Sequence, residues 1–343
     1  MAIETRLLKY GLLGCLSGFI LLYSFNYAVN PYWDYSHDWG RLQGREEINL
    51  RSRKTKLNLL QRLDFSPQFY ILGNSRSMIF PPEPIEAQTG LQGFNLGVLS
   101  ASIYDFLALT RWVLANAGTE PEFFILTLDS FTFRASLDEE LYSRPLVSYL
   151  PEAGLSEQSV DLARFRRNLS IETFSISLNL LQTNLRGDPP SRYLSDGVYL
   201  PELGSGFHPE SYAIVLEAYK TIGFVGPDPL PAASQALFED WLGLLQDEGI
   251  CLVIVLPPLY TPLVEVLAAE SDYQTHMQAL RRYLGELDGV YGFEWYDFST
   301  VDRFGGDDRW FTDGSHFMPP LAELILEQLS ISSQCIQGPD ESE

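Results

Sequence analysis

The sequence is poor in the residues that build metal centres and poor in cations. Four histidines (His37, His208, His276, His316) and three cysteines (Cys15, Cys251, Cys335) are all it has. They form no CxxC pair and no Cys/His cluster, which excludes a structural zinc site of ordinary spacing. No metal and no cofactor is expected. Whether Cys251 and Cys335 pair is left open by the sequence. Lys and Arg number 23 against 45 Asp and Glu, a net charge of −22. A chain so short of positive charge lacks the basic face that displaces counterions from nucleic acid, so no nucleic-acid partner is expected. No internal repeat is visible. Charge is missing altogether from Tyr10 to Trp33. That run is long enough to cross a bilayer, which takes about 20 apolar residues.

Arg6 and Lys9 precede the run and belong on the cytoplasmic side. Tyr23, Tyr27, Tyr32 and Trp33 suit the far interface, where amphipathic rings are favoured. Ala28-Val29-Asn30-Pro31 is a poor cleavage site, and the apolar run continues well past Cys15, against a lipoprotein box. The reading is an uncleaved signal anchor, residues 1–33, with the body outside the cytoplasm. Residues 34–66 are a juxtamembrane linker and helix, with a helix expected over 45–62. Its basic residues Arg51, Arg53, Lys54, Lys56 and Arg62 are expected to form a solvated face.

Hydrophobic residues make up 45% of the chain, enough for a sizeable core. Short apolar runs alternate with helical periods. Strands are expected at 68–73, 93–97, 122–129, 251–256 and 290–296, with helices at 103–117, 235–248, near 273–287 and before Leu329. Alternation of this kind gives a parallel sheet covered on both faces. Right-handed crossovers then put every strand's carboxyl end on one edge. Residues 130–232 break the alternation, with helical patches near 157–168 and 209–222, and read as an insertion over that edge. The α/β domain spans 67–335. The polar tail 336–343 reads as disordered.

Two short stretches carry chemistry. Gly73-Asn74-Ser75-Arg76-Ser77 ends the first strand, where a serine is a candidate nucleophile. Asp313-Gly314-Ser315-His316 lies between the last strand and the last helix. A carboxylate three residues from a histidine can accept Nδ1–H and leave Nε2 for a serine. His37 lies beside the anchor, His276 sits in a helix and is expected to be exposed, and His208 has no acidic partner at a matching spacing.

Gly73-Asn74-Ser75 with Asp313-x-x-His316 resembles the SGNH (GDSL-type) hydrolase superfamily, in its membrane-anchored bacterial form that modifies envelope or exopolysaccharide. The resemblance covers about 66–130 and 235–330. It implies a flavodoxin-like, three-layer αβα fold with the anchor and the insertion added to it. It implies Ser75 as nucleophile, His316 as base and Asp313 as its orienting acid. The oxyanion hole would take the Ser75 amide and that of either Gly97 or Ser100. Asp129 stands where the asparagine of the family's third block, the remaining hole donor, is expected. Asn74 replaces the aspartate of the first block, and Arg76 beside it is a candidate for binding an acidic sugar or phosphate. The implied activity is an extracytoplasmic acyl esterase or O-acyltransferase. Its partners would be the membrane, an acylated glycan or polysaccharide, and envelope proteins. The substituted Asp129 motivates an alternative, a catalytically inactive carbohydrate-binding or assembly component.

Overall fold

The structure is a computed structural model. It describes residues 2–32, 35, 52–134, 144–150, 156–187, 193–200, 206–226, 228–332 and 335. Expectations for Trp33, His37, Arg51 and the 336–343 tail lie outside the described residues.

Five short strands form one sheet: β1 Phe69–Leu72, β2 Gly93–Asn95, β3 Phe123–Thr127, β4 Cys251–Leu256 and β5 Glu294–Asp297. Every pairing is parallel and the order is β2-β1-β3-β4-β5. That is the flavodoxin-like doubly wound order. The strands read as continuous apolar runs because both faces are covered. Residues on β1 and β3 alternate between two cores. Tyr70, Leu72, Phe124 and Leu126 face one, and Phe69, Ile71, Phe123 and Ile125 face the other.

The helices are, in chain order, α1 Ala2–Val29, α2 Ser52–Leu60, α3 Glu83–Thr89, α4 Ile103–Asn116, α5 Ser130–Arg134, α6 Arg144–Val147, α7 Glu157–Asn168, α8 Ile171–Arg186, α9 Pro209–Ala218, α10 Ala232–Asp247, α11 Thr261–Glu270, α12 Tyr273–Tyr291 and α13 Pro319–Glu327. Helices α4, α10 and α12 cover the first core, through Phe106, Trp241 and Leu284. Helices α3 and α13 cover the second, through Ile85, Leu321 and Ile325. The result is a three-layer α/β body. Cys251 and Cys335 are disulfide-bonded with Cα atoms 5.5 Å apart, tying the start of β4 to the segment after α13.

Helix α1 contains Lys9–Val29, 21 residues of mean hydropathy 1.6, long and apolar enough to cross a membrane. Its last turns pack on the insertion. Asn26 Nδ2 donates to the carbonyls of Asn168 at 3.0 Å and Ser170 at 3.3 Å.

Several expectations need correction. The chain stays helical through Val290 and Tyr291 until Gly292, in the left-handed conformation at φ 69°, caps α12. Strand β5 therefore starts at Glu294 rather than Val290. His276 is fully buried on the inner face of α12, not exposed. The insertion holds a further helix, α8, whose Ser, Thr and Asn content hid its period. Arg53 and Lys56 do not belong to a solvated face. Lys56 is buried, and its Nζ donates to Asn95 O and Asn95 Oδ1, each at 2.8 Å, and to Gly197 O. Burial pushes its ammonium well below its ordinary pKa, with Asp196 acting in the opposite direction. Arg53 forks onto Asp105, Nε to Oδ1 at 2.6 Å and NH2 to Oδ2 at 2.8 Å. Helix α2 is thus pinned to the β2 end of the sheet by polar contacts that water does not reach.

Removing one partner of such a pair leaves the other charge buried and alone. Arg53→Ala is expected to lower unfolding free energy by about 3–5 kcal/mol. Urea unfolding of the full chain in detergent, followed by tryptophan emission, measures it. A loss below about 1 kcal/mol would place Arg53 with ordinary surface ion pairs.

Candidate active site

The site is built at the carboxyl edge of the sheet from the loops after β1, β2 and β3 and the segment between β5 and α13. Strand β1 stops at Gly73, whose φ is 140°. A Cβ there would lie 2.0 Å from Thr127 Oγ1 and 2.8 Å from the Thr127 carbonyl, so no other residue fits. The chain then turns tightly. Ser77 N and Ser77 Oγ both donate to Asn74 O, at 3.0 and 2.7 Å. Asn74 Oδ1 accepts from Arg76 N at 3.1 Å. This turn leaves Ser75 half-buried, with its hydroxyl at the mouth of a pocket.

Ser75 Oγ lies 2.9 Å from His316 Nε2. His316 Nδ1 lies 2.8 Å from Asp313 Oδ2. The other carboxylate oxygen, Asp313 Oδ1, accepts from the amides of Ser315 at 2.7 Å and His316 at 2.8 Å. Those two amides fix the rotamer of the acid, and the acid fixes the imidazole. With Nδ1–H donated to Asp313, Nε2 carries the lone pair facing the Ser75 hydroxyl. Burial works to raise the Asp313 pKa, but the hydrogen bonds from the His316 ring and the two amides outweigh it and hold the carboxyl at about 2.

The remaining sequence-predicted residues divide. Asp129 is buried and does not aim a bare carboxylate into the site. Its Oδ2 accepts from Asn74 Nδ2 at 2.9 Å and from Arg76 NH1 at 3.2 Å. Its Oδ1 accepts from the amide and the hydroxyl of Thr132, both at 3.0 Å. Arg76 spends its NH2 on the carbonyls of Pro257 and Pro258, both at 2.6 Å. Asn74, Arg76 and Asp129 therefore bracket one another, while Arg76 also lines the pocket beside Ser75 and its buried Nε has no hydrogen-bond partner among the described residues. Gly97 donates its amide to Asn95 Oδ1 at 2.9 Å. Its lack of a side chain is explained by crowding, since a Cβ would lie 2.1 Å from Ser77 Oγ.

The amides of Ser75 and Ser100 have no hydrogen-bond partner among the described residues. Ser100 sits at φ 49°, in the left-handed region that a residue with a Cβ enters only when its surroundings hold it there. Helix α2 supplies the hold. Arg53 donates to the carbonyls of Leu99 at 3.1 Å and Ser100 at 3.4 Å. Ser52 Oγ accepts the Leu99 amide at 2.9 Å. No signal in the sequence tied Ser52 and Arg53 to this loop.

The pocket holds about 290 Å³ and opens on Ser75 and His316. Met78, Ile79, Leu99 and Phe317 give it apolar walls, with Tyr199 from the insertion as a further wall. The insertion also lies against the Asp313–His316 loop from the other side. His208 N donates to Thr312 O at 2.7 Å. Tyr219, in a single π-turn after α9, lies near Ser315, and burial pushes its phenol up to about 12. Among the described residues no cluster of three His, Cys, Asp or Glu could hold a metal.

The depressed Asp313 pKa makes a signed prediction. A carboxyl held at about 2 against an ordinary 3.8 stabilises the fold above pH 4, and that stabilisation is lost as pH falls toward 2. Asp313→Asn is expected to be less stable than the native chain at pH 7 by on the order of 2 kcal/mol. The gap should narrow steadily below about pH 4, read from paired denaturant titrations. A gap independent of pH would show that the carboxylate is not held in this way.

Comparison with known proteins adds little to this geometry. No family model matches the chain, and no curated protein does. Among solved structures, a crystal structure described as a "putative acylhydrolase" from Bacteroides fragilis NCTC 9343 is similar at 10% identity. The match covers 85% of this chain and 94% of that one, with a TM-score of 0.38. A likeness that loose carries no residue role across.

Proposed function

We propose that this chain is a membrane-anchored serine acyl esterase or O-acyltransferase whose catalytic body lies outside the cytoplasm. The observation that carries the reading is the hydrogen-bonded series Ser75–His316–Asp313 at the mouth of an apolar pocket. Ser75 Oγ would attack the carbonyl carbon of an ester while its proton passes to His316 Nε2. Charge on the carbonyl oxygen would be met by the Ser75 and Ser100 amides. The leaving alcohol takes the proton back from His316, and the acyl group stays on Ser75. Water or a second hydroxyl then attacks, again through His316, and gives an acid or a new ester. The apolar walls suit the acyl part of the substrate. An acylated envelope glycan is the substrate class that the SGNH resemblance implies.

Location outside the cytoplasm has two supports. Arg6 and Lys9 lie in the first turns of α1, ahead of its uncharged run from Tyr10, as expected of a cytoplasmic end. The Cys251–Cys335 disulfide suits an oxidising compartment. A second reading, a glycan-binding or assembly component without turnover, is favoured by one observation. Asp129 and Gly97 give the site no oxyanion donor, so the hole depends on two backbone amides.

A fluorophosphonate probe separates the two. The intact chain is expected to be labelled, Ser75→Ala not at all, and His316→Ala about a thousandfold more slowly or less. An unlabelled native chain that binds acylated polysaccharide without releasing acid would sink the enzyme reading and favour the second. Equal labelling of Ser75→Ala would place the reactive group elsewhere.

Thiol counting tests location. In membranes denatured without reductant, only Cys15 should take up an alkylating reagent, as a single mass increment. After reduction all three cysteines should. Three reactive thiols before reduction would argue against an oxidising compartment.

A further inference from the structure

Helix α8 turns an apolar stripe outward. Thr173, Ser177 and Leu180 are buried, and Ser177 Oγ donates to Asn26 Oδ1 at 3.0 Å. Ile171, Phe174, Leu178 and Leu185 stand outward at 75%, 36%, 41% and 87% exposure. Steps of three, four and seven residues align these four on one stripe. A helix resting on a water-soluble body buries its hydrocarbon and shows its polar groups. Here two hydroxyls face in beside Leu180, and an apolar stripe faces out next to the exposed polar Ser175, Asn179 and Gln182. The helix carries only two charges, Glu172 in its first turn and Arg186 in its last. Leu162 and Phe165 of the neighbouring α7 are half exposed beside it.

Position gives the stripe a meaning. Phe25 meets Phe174 with ring centroids 5.0 Å apart, and Tyr23 meets Phe165 at 5.4 Å. Asn26 is buried among Asn168, Ser170 and Ser177. All three α1 residues lie in the last two turns of the apolar span Lys9–Val29. The outward stripe of α8 therefore continues the exposed apolar surface of α1, where Leu16, Phe19, Ile20 and Leu21 are all more than half exposed. Single apolar residues on a surface need no explanation. A stripe that adjoins a span does.

We propose that α8 is a second membrane-contacting element. Its outward stripe lies in the boundary between headgroups and acyl chains of the leaflet at the far end of α1, and lipid is what covers it. This rests on reading α1 as the anchor. The two helices together would hold the catalytic body at a set orientation on the leaflet, where α1 alone would leave it free to swivel.

The test uses the full chain in phosphatidylcholine vesicles with Cys15→Ser as background. Single variants Ile171→Cys, Leu178→Cys and Leu185→Cys receive a bimane fluorophore. Phe19→Cys on α1 and the exposed Ala236→Cys on α10 serve as controls. With phosphatidylcholine brominated on its acyl chains, the three α8 positions and position 19 should lose most of their emission, and position 236 almost none. If position 19 is quenched and the α8 positions behave like 236, α8 does not meet lipid and the anchor stands. If position 19 is unquenched too, the anchor reading fails and this inference with it. Disulfide-linked dimers through Leu178→Cys with unquenched emission would show that a second copy covers the stripe, which also overturns it. Should a variant fail to fold, photolabelling of the native chain from a diazirine-bearing lipid gives the same reading. Labelled peptide from 171–185 is expected, and its absence beside a labelled α1 overturns the proposal.

Discussion

Everything at the carboxyl edge of the sheet depends on where one guanidinium is spent. Arg76 leaves the turn after β1, meets Asp129 after β3, and caps two carbonyls after β4. One side chain thereby joins the ends of three adjacent strands. Both partners are almost wholly buried, so the pair is a weak source of net stability. What it fixes is position. Asn74 is held from the same carboxylate oxygen, and Ser75 comes next in the chain. The 2.9 Å contact between Ser75 Oγ and His316 Nε2 tolerates little drift, and the bracket beneath it limits that drift.

The bracket also resolves what Asp129 is doing. As a lone carboxylate beside a developing oxyanion it would oppose catalysis. With four donors on its two oxygens it is a structural acceptor instead. On the proposed reading an oxyanion would then rest on backbone amides, and the loop carrying Ser100 has to be held by something else. Arg53 and Ser52 do so from α2, a helix that precedes the sheet in sequence.

Much of this was legible in the sequence, for reasons that can be named. Apolar runs marked the strands, because a parallel sheet buried on both faces needs them. Ser75 and the Asp313–His316 pair were legible because each sits in a short stretch whose spacing is local. Contacts across long separations were not. Nothing local says that Arg53 will find Asp105, or that Tyr219 will reach Ser315. A basic run such as 51–62 looks the same whether its cations meet water or buried carbonyls. The end of α12 was misjudged because Val290 and Tyr291 suit a strand as well as a helix, and Gly292 decided between them. Helix α8 is hard to read for a related reason: Thr173 and Ser177 are buried while Ile171, Phe174, Leu178 and Leu185 face out, so its apolar period does not mark a buried face.

Hydropathy divides this chain cleanly after Val29, and packing does not. Asn26, inside the apolar span, is among the buried residues, and its amide satisfies two carbonyls and a hydroxyl of the insertion. Cutting the apolar helix away to obtain a shorter fragment would leave those three groups without their partner and bare the flank of α7 and α8. The natural place to divide this protein in the laboratory is therefore not where its sequence changes character.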